Sequence, residues 1–149
     1  MNRGLTILVV EPDENFVHLL QLAIRALGLD NPIHVVSDGL SALDYLCARG
    51  QFADRSRYPF PSIIFSEIRL PLLSGLEVLT WLRDHPECSV IPMIILSASD
   101  QDSDIREAYH LGANSYIIKP ATLPELEKAL RNLYGYWEIC AKPQVGEKC

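Results

Sequence analysis

The chain has 149 residues, 48% of them hydrophobic and 21% charged, a length and balance that fit one globular domain with a sizeable core. Thirteen Lys and Arg against nineteen Asp and Glu leave a net charge of −6, which argues against a nonspecific binder of nucleic acid or of an anionic membrane. No apolar run approaches the roughly 18 residues of a membrane span. The apolar run near the N-terminus is followed at once by acid and has no small-residue cleavage site, so it reads as a buried strand of a cytoplasmic protein, not as an export signal.

Thr6–Val10 (TILVV) is β-branched and apolar throughout, the pattern of a strand covered on both faces. From Asp13 to about Leu27, apolar Phe16, Leu19, Leu20, Ala23, Ile24 and Leu27 recur at helical spacing, and Gly28 stops the run. Ile33–Val36 is a second strand. A second helix follows from Gly39 to about Arg49, with Leu40, Leu43 and Leu46 on one side. Gly50–Pro61 is polar and Pro-containing and reads as a loop. Ser62–Ile68 is a third strand and Leu76–Arg83 a third helix. Pro92–Leu96 is a fourth strand, and Asp102–Leu111 a fourth helix ended by Gly112. Ser115–Ile118 is a fifth strand. Thr122 caps a last helix that runs towards Tyr134, with a start resembling a capping box. Residues 1–138 are read as one domain and 139–149 as a tail without clear periodicity.

Strict strand–helix alternation requires right-handed crossovers and a parallel sheet covered on both faces. Five units suit an open doubly wound α/β sheet, in which function collects at the carboxyl ends of the strands. There the chain places Glu11-Pro12-Asp13 after strand one, Glu67 at the end of strand three, Ser97-Ala98-Ser99 after strand four and Lys119-Pro120 after strand five. No Gly-rich phosphate loop or dinucleotide fingerprint is present. The cysteines at 47, 88, 140 and 149 show neither CxxC nor metal-ligand spacing to a histidine, and they are expected to be reduced thiols. The four histidines form no HxxxH or HExxH pattern.

ILVVE at strand one, EIRLPLLSGLEVL from Glu67, ILSAS at strand four and GANSYIIKP at strand five together resemble the receiver domain of two-component response regulators, over about residues 5–136. The long loop after the second helix and the YGYW sequence at 134–137 resemble the stand-alone receivers that accompany bacterial phytochromes. The resemblance implies a flavodoxin-like five-stranded sheet of order 2-1-3-4-5. It also implies a phosphoacceptor carboxylate at the end of strand three, an acid pair after strand one that helps hold Mg²⁺, and a hydroxyl and a lysine that contact the phosphoryl group. In this chain the acceptor position is Glu67. The acid pair becomes Glu11 and Pro12, with Asp13 next to it in the acidic pocket, where Asp13 also reads as the N-cap of the first helix. The hydroxyl is Ser97, the switch aromatic Tyr116 and the lysine Lys119.

Two departures bear on chemistry. Acyl-phosphate formation needs a carboxylate in line with the donor phosphorus and a cation on the transferred oxygens. Glutamate extends about 1.5 Å beyond aspartate, and a misplacement of that size can cost roughly a hundredfold in rate. Pro12 has no side-chain oxygen, so Mg²⁺ loses a ligand: no cofactor is expected beyond Mg²⁺ at a site weakened by Pro12 and Glu67. Arg69, two residues after Glu67, is a candidate to replace the metal by bridging Glu11 and Glu67. These features favour a pseudo-receiver, not an enzyme, that acts as an adaptor by protein contact. The other reading is a conventional Mg²⁺-dependent phosphoacceptor of a histidine kinase such as a bacterial phytochrome. Expected partners are a sensor histidine kinase or another signalling protein, and a second copy of the chain. A homodimer is expected through helix four, strand five and helix five. Helix five carries Leu126, Ala129, Leu130, Leu133, Tyr134, Tyr136 and Trp137, more than one helix face can bury. The aromatics folding back over the domain's own edge is the competing arrangement.

Overall fold

The computed structural model describes residues 5–143 and 149. Its elements are β1 (Ile7–Val10), α1 (Glu14–Ala26), β2 (Ile33–Val36), α2 (Gly39–Leu46), a 3-10 turn (Gly50–Phe52), β3 (Ile63–Ser66), α3 (Gly75–Asp84), β4 (Met93–Ser97), α4 (Asp102–His110), β5 (Ser115–Ile118) and α5 (Leu123–Ile139). The five strands form one sheet of order β2-β1-β3-β4-β5, parallel at every pairing. This is the doubly wound parallel sheet the alternation calls for, in the flavodoxin-like order the resemblance implies.

Strand alternation divides the core in two. Leu8, Val10, Ile64 and Ile95 pack with Leu46, Leu79 and Leu82 from α2 and α3. Ile7, Val9, Phe65 and Leu96 pack on the other side with Leu20, Ile24, Leu126 and Leu130 from α1 and α5. Each fully buried aliphatic side chain contributes roughly 1.5–3 kcal/mol by leaving water. The helices begin at side-chain caps on Asp13, Asp38, Ser74 and Thr122, and Ser74 forms a full capping box with Glu77.

Three features differ from the expectations. The stretch from Gly50 to Pro61 is not simply a polar loop. Phe52 is buried, its ring centroid 5.2 Å from those of both Tyr45 and Tyr58, and the Tyr45 hydroxyl donates to the Pro59 carbonyl at 2.7 Å. Burial pushes the Tyr45 hydroxyl up to about 12, so it stays a neutral donor. The last helix continues past Tyr134 to Ile139, because Leu130, Leu133, Tyr134 and Trp137 keep helical spacing against the α1 side of the core. Two of the aromatics assigned to a dimer face thus serve the domain itself. Finally, the cysteines are not four separate thiols: Cys88 and Cys149 form a disulfide, with Cys47 and Cys140 free. A sequence separation of 61 residues hides that pairing from any local motif.

Candidate functional site

Backbone hydrogen bonds continue the ladder one step beyond the strands. Glu67 N–H donates to Val10 O at 3.0 Å, Glu11 N–H to Val36 O at 2.9 Å and Lys119 N–H to Ser97 O at 2.8 Å. The first residue past each strand is thereby held beside its neighbours at the carboxyl edge of the sheet. Glu11, Glu67, Ser97 and Lys119 converge for this reason.

Lys119 Nζ lies 2.7 Å from Glu11 Oε1 and 2.9 Å from Glu67 Oε2, and sits 4.3 Å from the centroid of the Phe16 ring. The other oxygen of each carboxylate is also engaged. Glu67 Oε1 accepts from Ile68 N–H at 2.7 Å, and Glu11 Oε2 accepts from Asp13 N–H at 3.1 Å. The Ser97 hydroxyl donates to Glu67. Glu11 is 5% exposed and Glu67 7%, so these are buried charges whose pairing decides whether they are tolerated. Burial pushes the Glu67 carboxyl up. The hydrogen bonds from Ser97, Lys119 and Ile68, together with the ammonium charge, outweigh it and hold the carboxyl below its ordinary value. Burial likewise pulls Lys119 down, but Glu11 and Glu67 outweigh it and leave the ammonium above its ordinary value.

Two sequence assignments change. Arg69 does not bridge Glu11 and Glu67. Its side chain is 72% exposed and pairs with Asp104 Oδ2 at 3.3 Å. The strand ends at Ser66, so two-residue alternation no longer governs where Arg69 points. Lys119 occupies the bridging place instead. Asp13 does not turn into the acidic pocket; it is the N-cap of α1, the other role its place at the helix start suggested, its Oδ1 accepting from Asn15 N–H at 3.0 Å and Phe16 N–H at 3.4 Å. Asp13→Ala should therefore lower stability by about 1 kcal/mol, as loss of a cap does. Urea denaturation checks this, and an unchanged midpoint would show that the cap contributes nothing.

Tyr116 is half-buried against the α2 and α3 side of the core, and its hydroxyl donates to Ser99 O at 2.8 Å. Ser99 links the site to α4: its N–H donates to Ser97 Oγ at 3.1 Å, and its hydroxyl donates to Asp104 Oδ2 at 2.5 Å. Sequence reasoning placed Ser99 at the carboxyl edge without a role and missed Asp104. Their only signal was a serine five residues before an acid in the first turn of a helix. Ser66, next to Glu67, is buried and donates its hydroxyl to the Glu67 carbonyl.

The residues present do not suit a hard divalent cation, which wants about six oxygen ligands. Pro12 offers no side-chain oxygen, Asp13 is committed to its cap, and the ammonium of Lys119 lies between the two remaining carboxylates. Among the described residues no group of three or more His, Cys, Asp or Glu is placed to hold a metal ion.

A doubly wound sheet of this order, with acid, hydroxyl and lysine at its carboxyl edge and an aromatic on the last strand, defines a receiver-type signalling module. The response regulator receiver domain model matches residues 7–131, and the chain belongs to that family. Among solved structures it is similar to the response regulator RPA3017 in red light signalling of R. palustris, at 32% identity and a TM-score of 0.88, covering 95% of this chain and 99% of that one. It is similar to the phosphorylated cyanobacterial phytochrome response regulator RcpA, at 30% identity and a TM-score of 0.85, with 95% and 99% covered. It is also similar to the response regulator Rcp1 of Synechocystis, at 28% identity over 88% of this chain and 87% of that protein. The structure of Rcp1 in its Mn²⁺-bound form superposes with a TM-score of 0.81, over 93% of this chain and 99% of that one.

Proposed function

We propose that this chain is an atypical receiver that works as a signalling adaptor by protein contact, without accepting a phosphoryl group and without catalysis of its own. The observation that carries this reading is the Lys119 ammonium between Glu11 and Glu67, 2.7 and 2.9 Å from their oxygens. Both Glu67 oxygens are already engaged, by the Lys119 ammonium and by Ile68 N–H, and the cation that would neutralise the transferred group has lost a ligand at Pro12. The same contact, with Tyr116 turned towards Ser99 O, supports a domain held partway towards its activated arrangement. Glutamate supplies one negative charge where a phosphoaspartate supplies nearly two.

The test is labelling with a histidine kinase and Mg²⁺, and with acetyl phosphate as a small-molecule donor. Wild type should take up no label. The double variant Pro12→Asp, Glu67→Asp should take up label that depends on Mg²⁺. Stoichiometric, Mg²⁺-dependent labelling of wild type at Glu67 would overturn the reading. The competing reading, a conventional phosphoacceptor, draws on the description of RcpA as phosphorylated, and the same experiment decides it.

The similarity to regulators of phytochrome and red-light signalling supports a sensor kinase of that kind, or another signalling protein, as the partner in the cytoplasm. No helix among the described residues is long and apolar enough to cross a membrane, and the acidic balance disfavours nucleic acid as a partner. Residues 1–138 are assigned to the receiver and 139–149 to a tail. A homodimer through α4, β5 and α5 is supported by exposed apolar side chains: Tyr109 and Ile118 are about half exposed, Tyr136 68% and Ile139 81%. Trp137 packs inward, so its removal would test the core. Light scattering during gel filtration at tens of micromolar should give a dimer mass that Tyr136→Ala with Ile139→Asp reduces to a monomer. A monomer mass for wild type would rule the dimer out.

A further inference from the structure

Cys88 lies in the turn between α3 and β4, at the amino edge of the sheet, away from Glu67. The turn is pinned on both sides of it. Arg83 donates to Ser89 O at 2.8 Å, to Ile91 O at 2.7 Å and to Gly112 O, and Cys88 N–H donates to His85 O at 3.0 Å. Cys88 itself is fully buried. Cys149 is seated by its own backbone, whose N–H donates to Leu46 O at the end of α2 at 3.1 Å, and its side chain packs on the α2 and α3 half of the core. The Cα atoms are 5.6 Å apart, inside the window of about 4.4–6.8 Å that a disulfide requires. The helix that precedes Cys149, α5, packs on the opposite face of the sheet. The bond therefore ties chain that leaves one face to the turn and helix end of the other.

We propose that Cys88 and Cys149 form a redox-controlled clasp, open as two thiols in a reduced cytoplasm and closed under oxidation. The inference rests on the cytoplasmic reading, because a disulfide there is transient and redox-sensing where in an oxidising compartment it is a permanent staple. Glutathione disulfide is a sufficient oxidant. The Cys149 thiolate attacks one of its sulfurs and expels a glutathione thiolate. The Cys88 thiolate then attacks the Cys149 sulfur of the mixed disulfide and expels the second. Two protein thiols lose two protons and two electrons, and one glutathione disulfide becomes two glutathione thiols. Closing a loop of 61 residues restricts the unfolded chain strongly, so the clasp switches the domain between a more and a less stable form.

The full chain is equilibrated in glutathione buffers from strongly reducing to strongly oxidising, quenched with acid, alkylated and mapped by peptide mass. The Cys88–Cys149 peptide should pass reversibly from minor to dominant across that range. Melting temperature should rise with it by about 10 °C. Cys149→Ser, which leaves the buried Cys88 in place, should show no such rise. A bond that never forms, that forms to Cys47 instead, or that stays closed at every ratio overturns the clasp, as does an equal rise in Cys149→Ser. Cell fractionation checks the compartment separately, and labelling at Glu67 leaves this result untouched.

Discussion

Lys119→Met should lower stability by about 3 kcal/mol at pH 7, because it leaves two buried carboxylates without their shared cation. Methionine keeps much of the stem that covers Phe16 and removes only the charge and its donors. The Lys119, Glu11 and Glu67 side chains are 15%, 4% and 8% exposed, so solvent screens this cluster far less than a surface pair. The pH dependence has a definite sign. Glu67 is held below its ordinary value, so its contribution is present above the unfolded carboxylate value of about 4.3 and is lost as pH falls through the folded value. Lys119 is held above its ordinary value, so its contribution is present below about 10.4 and is lost as pH rises through the folded value. The wild-type cluster is therefore at full strength between those limits. The deficit of Lys119→Met should be largest at neutral pH and shrink on acidification, when protonation neutralises the orphaned acids. Urea denaturation of both proteins at pH 7 and pH 5 measures it. A loss at pH 7 under about 1 kcal/mol would place the cluster with ordinary surface pairs.

Gly75→Ala should be equally damaging, by about 3 kcal/mol, although it adds one methyl group to a residue without chemistry. A Cβ at Gly75 would stand 2.1 Å from Glu67 O, 3.0 Å from Glu67 C and 3.1 Å from Ile68 Cα. All three atoms are backbone, and no rotamer change relieves the clash. The start of α3 is also tied there, since Gly75 N–H donates to Ile68 O at 2.9 Å. The methyl must push α3 away from the loop that carries Glu67, and so disturb the Glu67–Lys119 pair. Gly135→Ala is the contrast. A Cβ there meets nothing within 4 Å, and the residue lies inside α5, so the change should stabilise by up to about 1 kcal/mol through helix propensity. Thermal melts of the two variants decide the matter: equal effects would mean that the close approach at Gly75 is not tight.

The response-regulator resemblance explains why so much was legible. β-branched runs and 3.6-residue spacing marked every strand and helix. Right-handed crossovers then make the sheet parallel, and its 2-1-3-4-5 order is what the resemblance implies. Glu67, Ser97 and Lys119 could be placed on one edge because each is the residue that ends or follows a strand. The long loop was harder, since Phe52, Tyr58 and Phe60 sit among polar residues and prolines and show no period.

What the sequence determined by itself was the list of groups at the carboxyl edge, because strand ends are local and the sheet orders them. The pairing of Lys119 with Glu67 was expected from the resemblance, but that the same ammonium also takes Glu11, in place of Arg69, was decided only by tertiary structure. Lys119 and Arg69 are both long, basic and near the site in the chain. The hydrogen bond from Lys119 N–H to Ser97 O directs one into the pocket, while the turn after Ser66 directs the other outward to Asp104. The same holds for Cys88 and Cys149, 61 residues apart, where no local period exists and only the tertiary packing that seats both on the α2 and α3 half of the core brings the sulfurs together.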